Sequence, residues 1–165
     1  MKSFEPWMLF FFLGFVAIFA LFIFVYWFVY HKFFNPKPVL KFKALSIVYP
    51  SGTKIARGEK TIEVRSWRPP EDFNEDLLLI ENKNFLRQEG ETDPDGTPIA
   101  IVKIKNVRPF TEADITAACA TRWEPEYYSW ELTDVRPITN HEKIIAARGI
   151  YEVELKSKFS DKYNS

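Results

Sequence analysis

Gly58-Glu59-Lys60-Thr61-Ile62-Glu63-Val64-Arg65-Ser66-Trp67 is the stretch on which the reading of this chain turns. From Thr61 to Trp67 it alternates with period two. Ile62, Val64 and Ser66 point to one face, and Thr61, Glu63, Arg65 and Trp67 to the other. β-Branched and aromatic residues suit a strand, and Pro69-Pro70 ends it. Side chains two apart on one strand face stand about 7 Å from each other, which makes Glu63 and Arg65 neighbours. One face can join a core. The other offers an acid, a base and an aromatic plate, with Lys60 at the strand's entrance. Such a polar group on a rigid element is what a recognition or catalytic site requires. The wet face of an edge strand has the same composition, so the surroundings decide between the two.

Downstream, Asp76 to Glu81 is an apolar run bounded by acids, which predicts a central strand. Residues 82 to 97 are polar, and Asp93-Pro94-Asp95-Gly96 is a turn signal. Ile99 to Val107 is the strongest strand pattern in the chain, with Lys103 and Lys105 on one face. Thr111-Glu112-Ala113-Asp114 reads as a capping box, with Phe110 and Ile115 placed as its hydrophobic staple. A helix to about Ala120 is predicted from it. Tyr127 to Leu132 and Ile150 to Leu155 are further strands, and 156–165 is a polar tail. Upstream, Ala44 to Val48 is a strand, and Ser51 is placed to cap a short helix, Gly52 to Arg57, that Gly58 ends. Short strands with two small helices and no βαβ rhythm predict a mainly β (α+β) domain. Its expected form is a small, mostly antiparallel barrel or curled sheet over residues 44–155.

Ahead of that domain, Trp7 to Tyr30 is 24 residues without a charge, and Gly14 is its one non-hydrophobic residue. As a helix it spans about 36 Å, more than the roughly 30 Å of bilayer hydrocarbon. Trp7 at one end and Tyr26, Trp27 and Tyr30 at the other stand where interfacial aromatic belts stand. The run is too long for the apolar region of a cleaved signal, and Tyr30-His31-Lys32-Phe33-Phe34 offers no small-residue cleavage site. The reading is therefore a single transmembrane helix, 7–30, after a short tail, 1–6, and before a basic, proline-containing linker, 31–43. Lys32, Lys37, Lys41 and Lys43 follow the span and Lys2 precedes it, which predicts that the C-terminal domain is cytoplasmic and the N-terminus outside. Against an anionic leaflet each such lysine adds about 1 kcal/mol.

Charge narrows the function. The chain has 22 basic and 22 acidic residues. Residues 1–43 hold five lysines against Glu5, so the remainder has 22 − 5 = 17 basic and 22 − 1 = 21 acidic groups. A mildly acidic domain is a poor general binder of polyanions, so any contact with nucleic acid needs a local pocket. Cys119 is the lone cysteine, which excludes an intrachain disulfide, and it reads as a small core residue on the capped helix. His31 and His141 lie far apart in the sequence, and no metal or cofactor site is expected.

Ala44-Leu45-Ser46-Ile47, Pro50, Gly58, Lys60, Thr61, Glu63, Arg65, Ser66 and Trp67 resemble the signature of the ASCH domain family. The likeness continues through Ile99 to Val102, Val107-Arg108-Pro109-Phe110, Trp123-Glu124-Pro125, Tyr128-Ser129-Trp130, Arg136-Pro137 and Gly149 to Val153. It covers nearly all of 44–155 and implies a PUA-like β-barrel. Many members carry Gln-Pro-Trp where this chain has Tyr49-Pro50-Ser51. PUA-like relatives bind RNA or modified bases. The resemblance thus implies a cleft between the signature strand and the first helix, with Tyr49, Ser51, Lys54, Lys60, Glu63, Arg65 and Trp67 as ligand-binding candidates. One branch of the family instead hydrolyses the acetamide of N4-acetylcytidine. Its catalytic lysine falls on Lys60, whereas its catalytic threonine falls on Glu63, and its catalytic glutamate is not assigned.

Two functions follow. As a binding module, Lys60 and Arg65 would meet phosphate or a base edge and Glu63 would accept from a base amino group. Trp67, Trp123, Tyr127 or Tyr128 would stack on an unpaired base, with core packing as the alternative role for each and burial expected of Trp123 and Trp130. As an amidohydrolase, Lys60 would attack an amide carbon with Glu63 as acid or base. The plain structural alternative is that Lys60 and Glu63 pair with each other and hold the strand.

Overall fold

The computed structural model describes residues 6–34, 39–139 and 142–156. Residues 1–5, the Asn35 to Pro38 spacer, Asn140, His141 and residues 157–165 lie outside it. The chain divides into two compact units, Met1–Pro38 and Val39–Ser165.

In the first unit, α1 (Pro6–Phe34) runs on as one helix through the apolar stretch. Leu13–Phe33 within it is 21 residues with a mean hydropathy of 2.4, long and apolar enough to cross a bilayer. Its side chains from Leu13 to Phe33 are all exposed. At its C-terminal end Tyr26 lies against Tyr30 and Trp27 against His31, with ring centres 6.2 and 4.6 Å apart, as residues four apart on a helix do.

The second unit opens with β1 (Val39–Val48), so residues 39–43, read from the sequence as linker, form the first half of a strand. Lys41 and Lys43 pair there with Glu154 and Glu152, at 3.2 and 2.8 Å. These two lysines therefore face acids of the neighbouring strand, a partner the sequence did not place. There follow α2 (Ser51–Ala56), β2 (Ile62–Arg65), β3 (Leu77–Asn82) and β4 (Thr92–Pro109). A 3-10 turn (Glu112–Asp114) leads to β5 (Tyr128–Pro137), β6 (Ile144–Ala147) and β7 (Ile150–Lys156).

The strands form one mixed sheet in the order β2-β5-β4-β3-β1-β7, with β6 paired to β4. All pairings are antiparallel except β1 with β3. β3 is buried along its whole length. Leu78 and Ile80 enter one core cluster with Ala44, Ile101 and Leu155, and Leu77 and Leu79 enter another with Leu45, Ile55 and Trp130. That is the two-sided burial a continuous apolar strand allows, with each leucine contributing about 1.5–3 kcal/mol. β4 changes register with its neighbours at several points along its length, and each such bulge adds bend and twist. The sheet curls until Arg65 on β2 donates from Nη2 to Ser46 O on β1 at 2.7 Å. The domain is a mainly β, curled sheet with few helical turns.

Four local readings change. Ser51 does not cap α2; Pro50 occupies that position, and no side chain of the cap bonds the helix. The cap comes from across the fold. Glu81 on β3 accepts from Thr53 N and Thr53 Oγ1, both at 2.7 Å. The turn signal at Asp93 to Gly96 is a bulge inside β4, where Asp93 Oδ1 accepts from Asp95 N at 2.9 Å. The same short-range hydrogen bond serves a turn or a bulge, and only the pairing with β6 decides which. The helix from Thr111 is a 3-10 turn, although its capping box is present and Ile115 packs on the cluster around Phe110 as the staple requires. β6 was not read as a strand; at four residues it is too short to carry a pattern.

Candidate functional site

The backbone after α2 builds the site. Gly58 takes φ +76°, open to glycine at no steric cost, and Glu59 N and Lys60 N then both return to Lys54 O at 2.9 and 3.2 Å. This closes α2 and drops Lys60 into the interior. Its Nζ donates to Ala118 O at 2.8 Å and lies 3.3 Å from Glu63 Oε2. The other Glu63 oxygen, Oε1, lies 2.9 Å from Arg65 Nε. That last contact is an ion pair without an aligned hydrogen bond, since Arg65 Nε is buried with none. A carboxylate between two cations, with a backbone carbonyl behind each cation, thus sits on the floor of a cleft of about 600 Å³.

β2 is an edge strand, yet its polar face is not wet. Thr61 N and Ile62 N donate to Ala117 O at 2.9 and 3.3 Å, so the 115–120 segment covers the strand's entrance. Neighbouring β1, β3 and the segments after β3 and β6 supply the remaining walls.

The ASCH domain family model matches residues 45–142. This chain belongs to the ASCH domain family. No curated protein matches it at a significant level. Among solved structures it is similar to ZmASCH from Zymomonas mobilis, determined in a mutant form, at 13% identity over 73% of this chain and 94% of that one, with a TM-score of 0.45.

Within this ASCH domain, Tyr49, Ser51, Lys60, Glu63, Arg65 and Trp67 all line the cleft. Lys54 does not; its backbone carbonyl helps to shape the Lys60 turn instead. Trp67 lies two residues beyond the end of β2 and is half engaged in the core. Its ring meets Trp130 edge-on, with centres 4.8 Å apart, and its carbonyl accepts from Trp130 Nε1 at 3.3 Å. Tyr127 lines the cleft, but Tyr128 lies under the Arg68 guanidinium, 4.5 Å from its ring centre. Trp130 is buried as expected. Trp123, also expected to be buried, is 41% exposed and outside the cleft, with its indole N–H on Phe110 O at 2.8 Å. Cys119 was read as a core residue, yet it is exposed at φ +49° on the cleft wall, because no regular helix reaches that far.

Sequence reasoning missed Asn82, Phe85, Arg87 and Arg148, which complete the cleft. Phe85, 69% exposed in a polar loop, was the available signal. A second network ties the 3-10 turn to β4 and β5. Arg108 donates to both Asp114 oxygens at 2.7 and 2.6 Å and to Glu131 at 2.7 Å. Asp114 also accepts from Thr111 N, Thr111 Oγ1 and Ser129 Oγ. The Arg108 guanidinium, with help from Thr111, holds the Asp114 carboxyl well below the usual carboxylate range despite its burial. Among the described residues, no group of three or more His, Cys, Asp or Glu side chains is placed to hold a metal ion.

Proposed function

We propose that the ASCH domain is a binding module that takes an unpaired base of RNA, or a modified nucleoside, into this cleft, and that α1 ties it to a membrane. The observation that carries this reading is the make-up of the cleft. Its floor holds the buried Lys60–Glu63 pair with half-buried Arg65, and Tyr49, Phe85 and Tyr127 expose aromatic rings around it. A base stacked on such a ring gains about 1–3 kcal/mol. Glu63 keeps lone pairs beyond its two cations and can accept from a base amino group. Family membership supports the same direction, since PUA-like domains often bind RNA.

The amide-cleaving alternative needs Lys60 Nζ free to attack. Here that atom is held by Ala118 O and Glu63, and no observation of the fold favours cleavage. The lysine excess after α1 supports placing the domain on the cytoplasmic side, where RNA is found.

The test is a thermal-shift and crystallographic screen of the full-length protein in detergent against nucleosides, N4-acetylcytidine and a mixed-sequence RNA hexamer. A ligand at a hundred times its dissociation constant adds about 2.7 kcal/mol, readily seen as a shift. The expected result is a shift that Tyr127→Ala diminishes. The absence of any shift, or density for the ligand elsewhere, would sink the reading. Release of acetate from N4-acetylcytidine would put the hydrolase in its place.

A further inference from the structure

The cleft carries its positive charge in two sets, and among the described residues one is bonded internally and the other is not. On the floor, Lys60 and Arg65 are used up by Glu63, Ala118 O and Ser46 O. The sequence reading gave these two the task of meeting phosphate, and their internal bonds leave them poorly placed for it. At the mouth stand Arg87, on the loop between β3 and β4, and Arg148, on the turn between β6 and β7. Both are exposed. Among the described residues neither has a carboxylate oxygen within 4.0 Å. The acid whose field they share is Glu91. Its carboxylate is committed to the loop, accepting from Arg87 N and Gln88 N at 2.5 and 3.1 Å. The Arg87 guanidinium lies 6.0 Å from the centre of the Phe85 ring. Contact with a ring face orients a guanidinium while leaving its N–H edge open for an anion.

We propose that Arg87 and Arg148 are a phosphate clamp at the cleft mouth, so that the ligand is a nucleotide or an RNA strand with a phosphate beside the inserted base, not a free nucleoside. This rests on the reading of the cleft as a base-binding site. Exposed aromatic rings and exposed guanidinium groups lining one cleft match the two halves of a nucleotide. Guanidinium groups suit phosphate because they bind it through two parallel N–H groups. The mild acidity of the rest of the domain confines the attraction to this point.

The experiment uses full-length protein in nanodiscs of zwitterionic lipid. Affinities are measured for the four ribonucleosides, their 5′-monophosphates and a mixed-sequence RNA hexamer, over a range of salt. Monophosphates are expected to bind more tightly than nucleosides. Arg87→Ala and Arg148→Ala should each weaken the monophosphates and the hexamer roughly tenfold and leave nucleosides and melting temperature unchanged. The slope of log affinity against log salt for the hexamer should fall by about 0.7 for each arginine removed. Equal affinity for nucleosides and monophosphates, or a double variant with an unchanged slope, overturns the clamp and leaves the base site standing. Failure of the wild-type protein to bind any probe overturns both. A double variant that keeps its RNA affinity but loses attraction to nanodiscs containing anionic lipid overturns the clamp and assigns the arginines to the bilayer.

Discussion

Lys60 Nζ lies 3.3 Å from Glu63 Oε2, with the two side chains only 6% and 8% exposed. The sequence reading placed this pair on a ligand-facing strand surface, where substitutions usually change stability by less than about 0.5 kcal/mol. Burial reverses that expectation. Lys60→Ala should cost about 1–3 kcal/mol, since it takes one of two cations from a buried carboxylate and leaves Ala118 O without its donor. Replacing the pair by Met and Leu should recover part of the loss. Recovery stays incomplete because Arg65, whose Nε is already without an aligned bond, then loses its acid partner Glu63. Chemical denaturation of the wild type and the two variants measures this, and full rescue by Lys60→Met with Glu63→Leu would contradict it.

Asp114 makes stability depend on acid. Its folded-state pKa lies below the ordinary 3.8, chiefly through Arg108. The stabilisation is therefore complete above that ordinary value and disappears as pH falls toward the folded one. Asp114→Asn should cost about 1.5–3 kcal/mol at pH 7, toward the lower figure because Arg108 is about a third exposed and screened. The gap between wild type and variant should narrow below pH 3.8. A gap that stays constant down to pH 2 would show that the carboxylate's charge is not what matters.

Gly52 and Glu81 are coupled. A Cβ on Gly52 would stand 3.1 Å from Glu81 Oε1 and 3.2 Å from Glu81 Cβ. Glu81→Ala removes the cap from α2 and should cost about 1 kcal/mol. Gly52→Ala should destabilise the wild type, and by less once Glu81 is Ala, giving a coupling of at least about 0.5 kcal/mol in a double-mutant cycle. Additive costs would mean that the carboxylate swings aside freely.

The anchor is tested in the full chain. The protein should stay with membranes through alkaline carbonate extraction, and a reporter fused after Ser165 should be active in the cytoplasm. Full-length protein in the soluble fraction would remove the anchor. A chain beginning near residue 31 would mean a cleaved signal, and a reporter active only outside would reverse the topology.

The apolar helix, the buried β3, the paired pattern of β2 and the motif set of an ASCH domain were all legible in the residues alone, because hydrophobic period and length are local properties. Tertiary structure decided the rest. No pattern in Ser51-Gly52-Thr53 says that its cap is Glu81, 28 residues away from Thr53. Nor does period two reveal that the charged face of β2 is covered, since coverage comes from Ala117 and Ala118, brought there by a 3-10 turn. The alternation of β2 told which side chains share a face. Only the curl of the sheet made that face an interior, and so turned Lys60, Glu63 and Arg65 from free charges into partners and left Arg87 and Arg148 as the open cations of the cleft.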